Sequence, residues 1–359
     1  MLFMLFISHH LKSLLLDTPQ GNKGYSVVES FYNDRTHINI VRSRFHNNKL
    51  SSDPDIHVAL ILVELGATIR LTGTNFTKNT IKKEWDNDGY ASVIKLGTKT
   101  YKNVLTVNNC IFFKNSGMTN AIATADFNDN ASYWIKNSFV DRNTYKNDNY
   151  CNGIKGTVTD LFSKRTCLVI FDTFTSPTIS PSPTLSPTKS NKPSVTQATD
   201  NPTVEFDGCW SNMFTQRVEK YESKVTDTTK KRVYRMCKGT TTNIAPYNWA
   251  KKTFMVKDGG IRALRLWNPN VEIRCGWNDA DDCIFTGGDF HIEILDAKHV
   301  SRQFTRNGLE NITIQGFTFT GTKTSNIYIS GTPEMLTNKA TSVTIKNCVF
   351  KVRLHLKIY

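Results

Sequence analysis

The chain has 359 residues, with 45 Lys and Arg against 31 Asp and Glu, a formal net charge of +14 and a pI near 9.3. That length allows about two domains and a sizeable core, and the cation excess attracts anions such as acidic glycans or phosphate-rich surfaces. The Lys and Arg are spread along the sequence, with no basic cluster or recognition helix, which argues against a nucleic-acid binder. No run approaches the roughly 20 apolar residues of a membrane-spanning helix.

Residues 1–23 open with "MLFMLFISHHLKSLLLD", apolar stretches broken by His9, His10 and Lys12, without a basic n-region or a small-residue cleavage site. The segment reads either as a degraded export signal or as a mis-called start. In residues 24–175 one spacing recurs: Ile38, Ile40, Ser43, Phe45; Ile69, Leu71, Thr74, Phe76; Leu105, Val107, Cys110, Phe112; and a weaker copy with Trp134 and Phe139. It returns late in the chain as Ile312, Ile314, Phe317, Phe319 and Val343, Ile345, Cys348, Phe350. Alternation over four or five positions predicts a short strand with one buried face. The longer step that follows predicts a bend, then a second short strand carrying the small residue and the Phe. Asn48, Asn79 and Asn115 follow, and Asn tolerates the left-handed conformation of a tight corner. One such unit cannot bury its own face, whereas stacked units place Ile on Ile and Phe on Phe. Burial of one Phe and two aliphatic side chains contributes roughly 5 to 8 kcal/mol per unit before entropy is subtracted.

Residues 176–203 read "SPTISPSPTLSPTKSNKPSVTQATDNPT". Prolines at this density exclude helix and inner strand, and Ser and Thr bury nothing, so this is a linker, either a plain disordered one or a stiff spacer similar to O-glycosylated stalks. In residues 204–359, Trp210, Met213, Phe214, Val218 and Tyr221 form one helical stripe. We read it as a cap helix from Gly208 to Tyr221 over the rungs that follow; an ordinary surface helix gives the same stripe. "RVYRMC" and "VEIRC" are read as early strands.

Eight cysteines without a CxxC pair point to an oxidising compartment. Cys209 with Cys237, Cys275 with Cys283, and Cys151 with Cys167 are the candidate disulfides, although sequence does not fix the pairing. Cys110 and Cys348 occupy the small position of the repeat and are expected as buried free thiols. Asn75, Asn130 and Asn311 head Asn-x-Ser/Thr triplets and would accept N-glycans on an exported chain. The acidic cluster Asp279, Asp281, Asp282 lies inside the Cys275 to Cys283 loop and reads as a solvated turn rather than a calcium site. Asp34, Arg35 and His37 read as a solvated edge. HExxH, GxSxG and GxxxxGK[ST] are missing.

The rungs "NITIQGF" and "VTIKNCVF" resemble those of the right-handed parallel β-helix, pectin-lyase-like superfamily. With its Ser/Thr-Pro stretch the chain is also similar to uncharacterised secreted β-helix proteins of microalgae. The resemblance implies an all-β fold, a right-handed parallel β-helix (solenoid) in two segments joined by the Pro/Ser/Thr-rich linker. The first segment is then open at its start and the second truncated at its end. An antiparallel β-sandwich remains the alternative. Superfamily members that act on polysaccharides use clustered carboxylates, calcium or paired Asp. The hydrolase signatures Asn-Thr-Asp, Gly-His-Gly and Arg-x-Lys are missing from this chain, and the outward residues of the late rungs are Thr313, Gln315, Thr344 and Lys346. The expectation is therefore a secreted, non-catalytic protein with no cofactor, metal or catalytic residues, binding acidic extracellular or cell-wall polysaccharide or serving a structural or adhesive role. The alternative is a polysaccharide lyase or glycoside hydrolase acting on uronate chains.

Overall fold

The computed structural model describes residues 26–31, 36–52, 58–63, 67–83, 91–96, 103–116, 123–125, 131–136, 138–140, 203–206, 208–211, 213–248, 253–254, 261–277, 282–295, 309–330 and 341–351. The N-terminal 23 residues, the Pro/Ser/Thr-rich stretch up to residue 202, Cys151, Cys167, Asn130, Asp34, Arg35, Asp279 and Asp281 lie outside them.

The first half contributes β1 (Ser26–Phe31), β2 (Thr36–Val41), β3 (Arg44–His46), β4 (Lys49–Ser52), β5 (Val58–Val63), β6 (Ala67–Thr72), β7 (Asn75–Thr77), β8 (Thr80–Lys83), β9 (Ala91–Leu96), β10 (Asn103–Asn108), β11 (Ile111–Phe113), β12 (Ala123–Ala125), β13 (Ala131–Lys136) and β14 (Phe139–Val140). The second contributes β15 (Thr203–Glu205), the helix α1 (Phe214–Glu222), β16 (Lys231–Met236), β17 (Thr241–Ile244), β18 (Tyr247–Asn248), β19 (Thr253–Phe254), β20 (Leu264–Leu266), β21 (Val271–Cys275), β22 (Cys283–Gly287), β23 (Ile292–Leu295), β24 (Ile312–Gln315), β25 (Phe317–Thr320), β26 (Ile327–Ser330), β27 (Thr341–Lys346) and β28 (Val349–Lys351).

Most strands fall in turn into three long parallel sheets, and β4 with β8 forms a further, two-stranded parallel sheet. Sheet 1 runs β12-β9-β5-β1-β26-β23-β20, sheet 2 β13-β10-β6-β2-β27-β24-β21-β16-β15, and sheet 3 β14-β11-β7-β3-β28-β25-β22-β17. The fold is therefore all-β with long parallel sheets and very little helix, compatible with the parallel β-helix class. The antiparallel alternative falls with this pairing, since only the small β18-β19 pair is antiparallel among the described strands.

The core is the inward row of each sheet. Ile314, Ile345, Ile40, Leu71 and Val107 are in register along sheet 2 and all fully buried. Along sheet 3, ring centroids step 5.7 Å from Phe285 to Phe319, 5.1 Å to Phe350, 4.6 Å to Phe45, 4.7 Å to Phe76 and 4.8 Å to Phe112. Such close stacked pairs add to plain area burial. In the weaker copy the register aligns Tyr133 and Ile135, not Trp134, with Leu105 and Val107. Cys110 and Cys348 are buried, and neither forms a disulfide.

Two expectations change in detail. The corner residue with positive φ is Asn47, Lys78 or Lys114, one before each singled-out Asn. Asn48, Asn79 and Asn115 are instead buried and form a ladder, Asn48 Nδ2 donating to Asn79 Oδ1 (2.7 Å) and Asn79 Nδ2 to Asn115 Oδ1 (2.8 Å). The same amide groups donate to the carbonyls of Phe350, Phe45 and Phe76 on the preceding rung.

The helix is the second. α1 starts at Phe214, because Gly208 turns with φ 80° and Trp210 bridges in parallel to Met236, donating its N–H to the Arg235 carbonyl. Phe214 and Val218 are buried, and the Phe214 ring reaches Phe317 at 6.4 Å. Glu222, fully buried, accepts two bonds from Arg232 at 2.8 and 3.1 Å and one each from Tyr234 and Asn268. Burial first and Glu222 second push the Tyr234 phenol well above its ordinary value. This network pins α1 to β16 and to the loop before β21.

Candidate functional site

Alternation in sheet 2 puts every second residue outside. One outward row runs Arg235, Arg274, Gln315, Lys346, Val41, Thr72 and Asn108. Beside it run Val233, Glu272, Thr313, Thr344, Asn39, Arg70 and Thr106, and toward the α1 end this face is covered, with Val233, Arg235, Glu272 and Gln315 buried. Neighbours within a row are about 4.8 Å apart. At the corner between sheets 2 and 3, Asn347, Arg42, Gly73 and Asn109 share φ between 49° and 59°. Gly meets that conformation without strain, whereas Arg42 holds it with its side chain exposed. Beyond the corner, Arg44, Lys78, Lys114 and Lys351 are exposed around half-buried His46.

The two ends of this face differ in charge. Near α1 the cations are matched: Arg235 with Glu205 at 2.8 Å, Lys231 with Glu272 at 2.6 Å, and Arg274 with the same Glu272. Those contacts hold the Glu272 carboxyl below its ordinary value despite the opposing effect of burial. Around the corner they are not matched. Arg42, Arg44, Lys49, Arg70, Lys78 and Lys351 have no ion pair among the described residues; of the Asp and Glu in 26–140, Glu29 is the one that falls within those described residues. Glu29 is buried on sheet 1, accepting from Ser325 at 2.7 Å and Ser26 at 3.0 Å. His46 reports the local field: partial burial, then Lys78, Lys351 and Arg44, hold its imidazole below the usual value, with Nδ1 2.8 Å from Thr77 Oγ1.

Trp277, 60% exposed, follows β21 at the matched end. The Arg235 guanidinium lies 3.9 Å from its ring centroid, a cation over one face of the indole. In the sequence this Trp belongs to no motif, and its one signal is a lone Trp inside a short, acid-rich, cysteine-bounded loop.

Cys209 and Cys237, and Cys275 and Cys283, are bonded. Cys275, Asp282 and Cys283 lie together, but the two sulfurs bond each other, so the group offers a single carboxylate, which faces Lys238 at 3.6 Å. Asn75 is half-buried in β7, in register with Arg44 on the basic face. Asn311 is exposed and donates to Asn270 Oδ1 at 2.9 Å. Thr313 and Thr344 are half-buried and Gln315 is buried, so the outward chemistry there comes from Lys346 and its cationic neighbours.

A second feature is a cleft of about 490 Å³ beside α1, lined by Gln216, Glu219, Lys220, Ser223, Arg262 and Trp267. Glu219 Oε1 accepts the Arg265 N–H at 3.1 Å, and burial outweighs the nearby Arg265 and Arg262 to push its carboxyl up to about 7. Arg265 in turn pairs with Glu293 at 2.9 Å.

No protein-family model, curated protein or solved structure matches the chain. Among the described residues, no helix is long and apolar enough to cross a membrane.

Proposed function

We propose that the chain is a right-handed parallel β-helix protein of the pectin-lyase-like kind, exported through an oxidising compartment, and that it binds acidic extracellular or cell-wall polysaccharide along the outer faces of sheets 2 and 3. The observation that carries this reading is the cation group Arg42, Arg44, Lys78 and Lys351, exposed on adjacent rungs with no carboxylate paired to it among the described residues. Rung spacing near 4.8 Å lets successive anionic sugars meet successive cations. Trp277 supplies a stacking face at the other end. The disulfides fit an oxidising compartment.

The test is binding of a polyuronate and of a neutral glucan across a salt series, using protein with Asn75→Gln so that no glycan covers the face. Polyuronate should bind more tightly and weaken as salt screens the charges. Replacing Arg42, Arg44, Lys78 and Lys351 by Ala should cost about thirtyfold, taking roughly 0.5 kcal/mol for each exposed charge. Equal binding of both polymers, or salt-independent binding, sinks the proposal.

Glu219 favours a second reading, hydrolysis or lysis of the polymer with that carboxyl as proton donor at neutral pH. Release of new reducing ends from a polyuronate, abolished by Glu219→Gln while binding persists, would establish it.

A further inference from the structure

The rung β26, β27, β28 lies directly on the rung β1, β2, β3, although the first closes the described chain and the second opens it. Val28 pairs with Ile327, Ile38 with Val343 and Phe45 with Phe350. Arg44 donates its N–H to the Cys348 carbonyl at 2.7 Å, and Asn347 to the Val41 carbonyl at 2.9 Å. Cys348 N–H donates to Ser43 Oγ at 3.2 Å, Ser325 Oγ to Glu29, and Asn48 Nδ2 to the Phe350 carbonyl. Nothing covalent crosses this seam among the described residues, because both disulfides lie within residues 209–283.

We infer that the seam is an exchangeable docking surface, and that its alternative occupant is a second copy of this chain. The two faces differ from each other, so the contact is head-to-tail: closed within one chain it gives a monomer, and between chains it gives an open-ended assembly. Residues 141–202 connect β14 and β15, two strands that lie at opposite ends of the stack. Nine strands in sheet 2 span about 40 Å at about 4.8 Å per step, while that connection has a contour length of roughly 200 Å at about 3.3 Å per residue. It reaches far enough to close the seam at home and is long enough to let a neighbour close it instead. A tethered partner acts at an effective concentration of about millimolar, falling with tether length, so home closure wins in dilute solution and exchange grows as the protein is concentrated. This inference is independent of the polysaccharide reading.

The experiment uses the full chain with Ser43→Cys, in a Cys110→Ser background to remove the other buried thiol among the described residues, unfolded with native disulfides intact and refolded under mild oxidation. Position 43 and Cys348 are successive members of one inward row, so a bond between them records which chain closed the seam. Refolding at about 1 μM should give covalent monomers containing that bond. Refolding at several hundred micromolar should give reducible dimers and longer ladders joined through it, with the β signal per residue unchanged. Covalent monomers at every concentration, or oligomers joined without the bond from position 43 to Cys348, overturn the exchange. Failure of the bond to form even in the dilute monomer removes the seam itself.

Discussion

Asn79 illustrates how much one side chain settles once rungs are stacked. It accepts from the Asn48 backbone and side chain at 3.1 and 2.7 Å, and donates to the Phe45 carbonyl and Asn115. Asn79→Ala should cost about 2 to 4 kcal/mol in denaturant unfolding, because it leaves buried donors and acceptors unmet. Asn79→Asp should be worse at neutral pH, facing two acceptors with a buried charge, and should recover partly as acid restores a donor. The sequence singled out the right asparagines for the wrong reason: a tight corner in the repeat was legible, but which of two adjacent residues takes positive φ was not. The ladder needs three rungs in place, which no local window contains. His46 is a second residue-scale reporter. Partial burial and then the neighbouring cations depress its imidazole, so polyanion bound at Arg44, Lys78 and Lys351 should raise its pKa by removing the cationic part of that depression, seen by NMR titration; an unchanged titration on saturation with polyuronate would place the polymer elsewhere.

At the scale of elements, α1 is held by a polar contact as well as an apolar one. Glu222→Ala leaves the buried Arg232 guanidinium without its carboxylate and should cost about 3 to 5 kcal/mol in thermal or denaturant unfolding. Replacing Glu222 and Arg232 together by apolar residues should cost less than that. Glu219, on the same helix, gives a pH signature. Its folded carboxyl titrates near 7, above the ordinary 4.5, so the folded state holds the extra proton between those values. Its contribution is complete below about 4.5 and is lost as pH rises through about 7, a slope that Glu219→Gln should remove from the stability profile. The apolar stripe revealed that a helix exists, since Phe214 and Val218 point inward. It misplaced the start because Trp210, spaced as a helical residue, belongs to the sheet edge. The charged partners stayed hidden, because the Glu222 network draws on residues from 232 to 268.

For the whole molecule, the repeat made the rung legible and, through the resemblance, parallel stacking was expected. What was not legible was the order of the stack, because the open end of one half and the open end of the other carry the same Ile and Phe pattern as every interior rung. A chain permuted to begin at Thr203, run through Lys351 into a short joint before Ser26 and end at Val140 should keep the same sheets. It should refold faster than the natural order, since the seam becomes a neighbour contact. The natural order has a cost in time. Asn48 and its partner Phe350 are 302 residues apart; at about 5 to 20 residues per second, roughly 15 to 60 seconds of synthesis separate them. Throughout that interval the rung of β1 to β3 has an uncovered edge with Phe45 and Ile40 behind it. The growing chain must therefore be shielded from its neighbours on the same message, each presenting the same unsatisfied edge at the same moment.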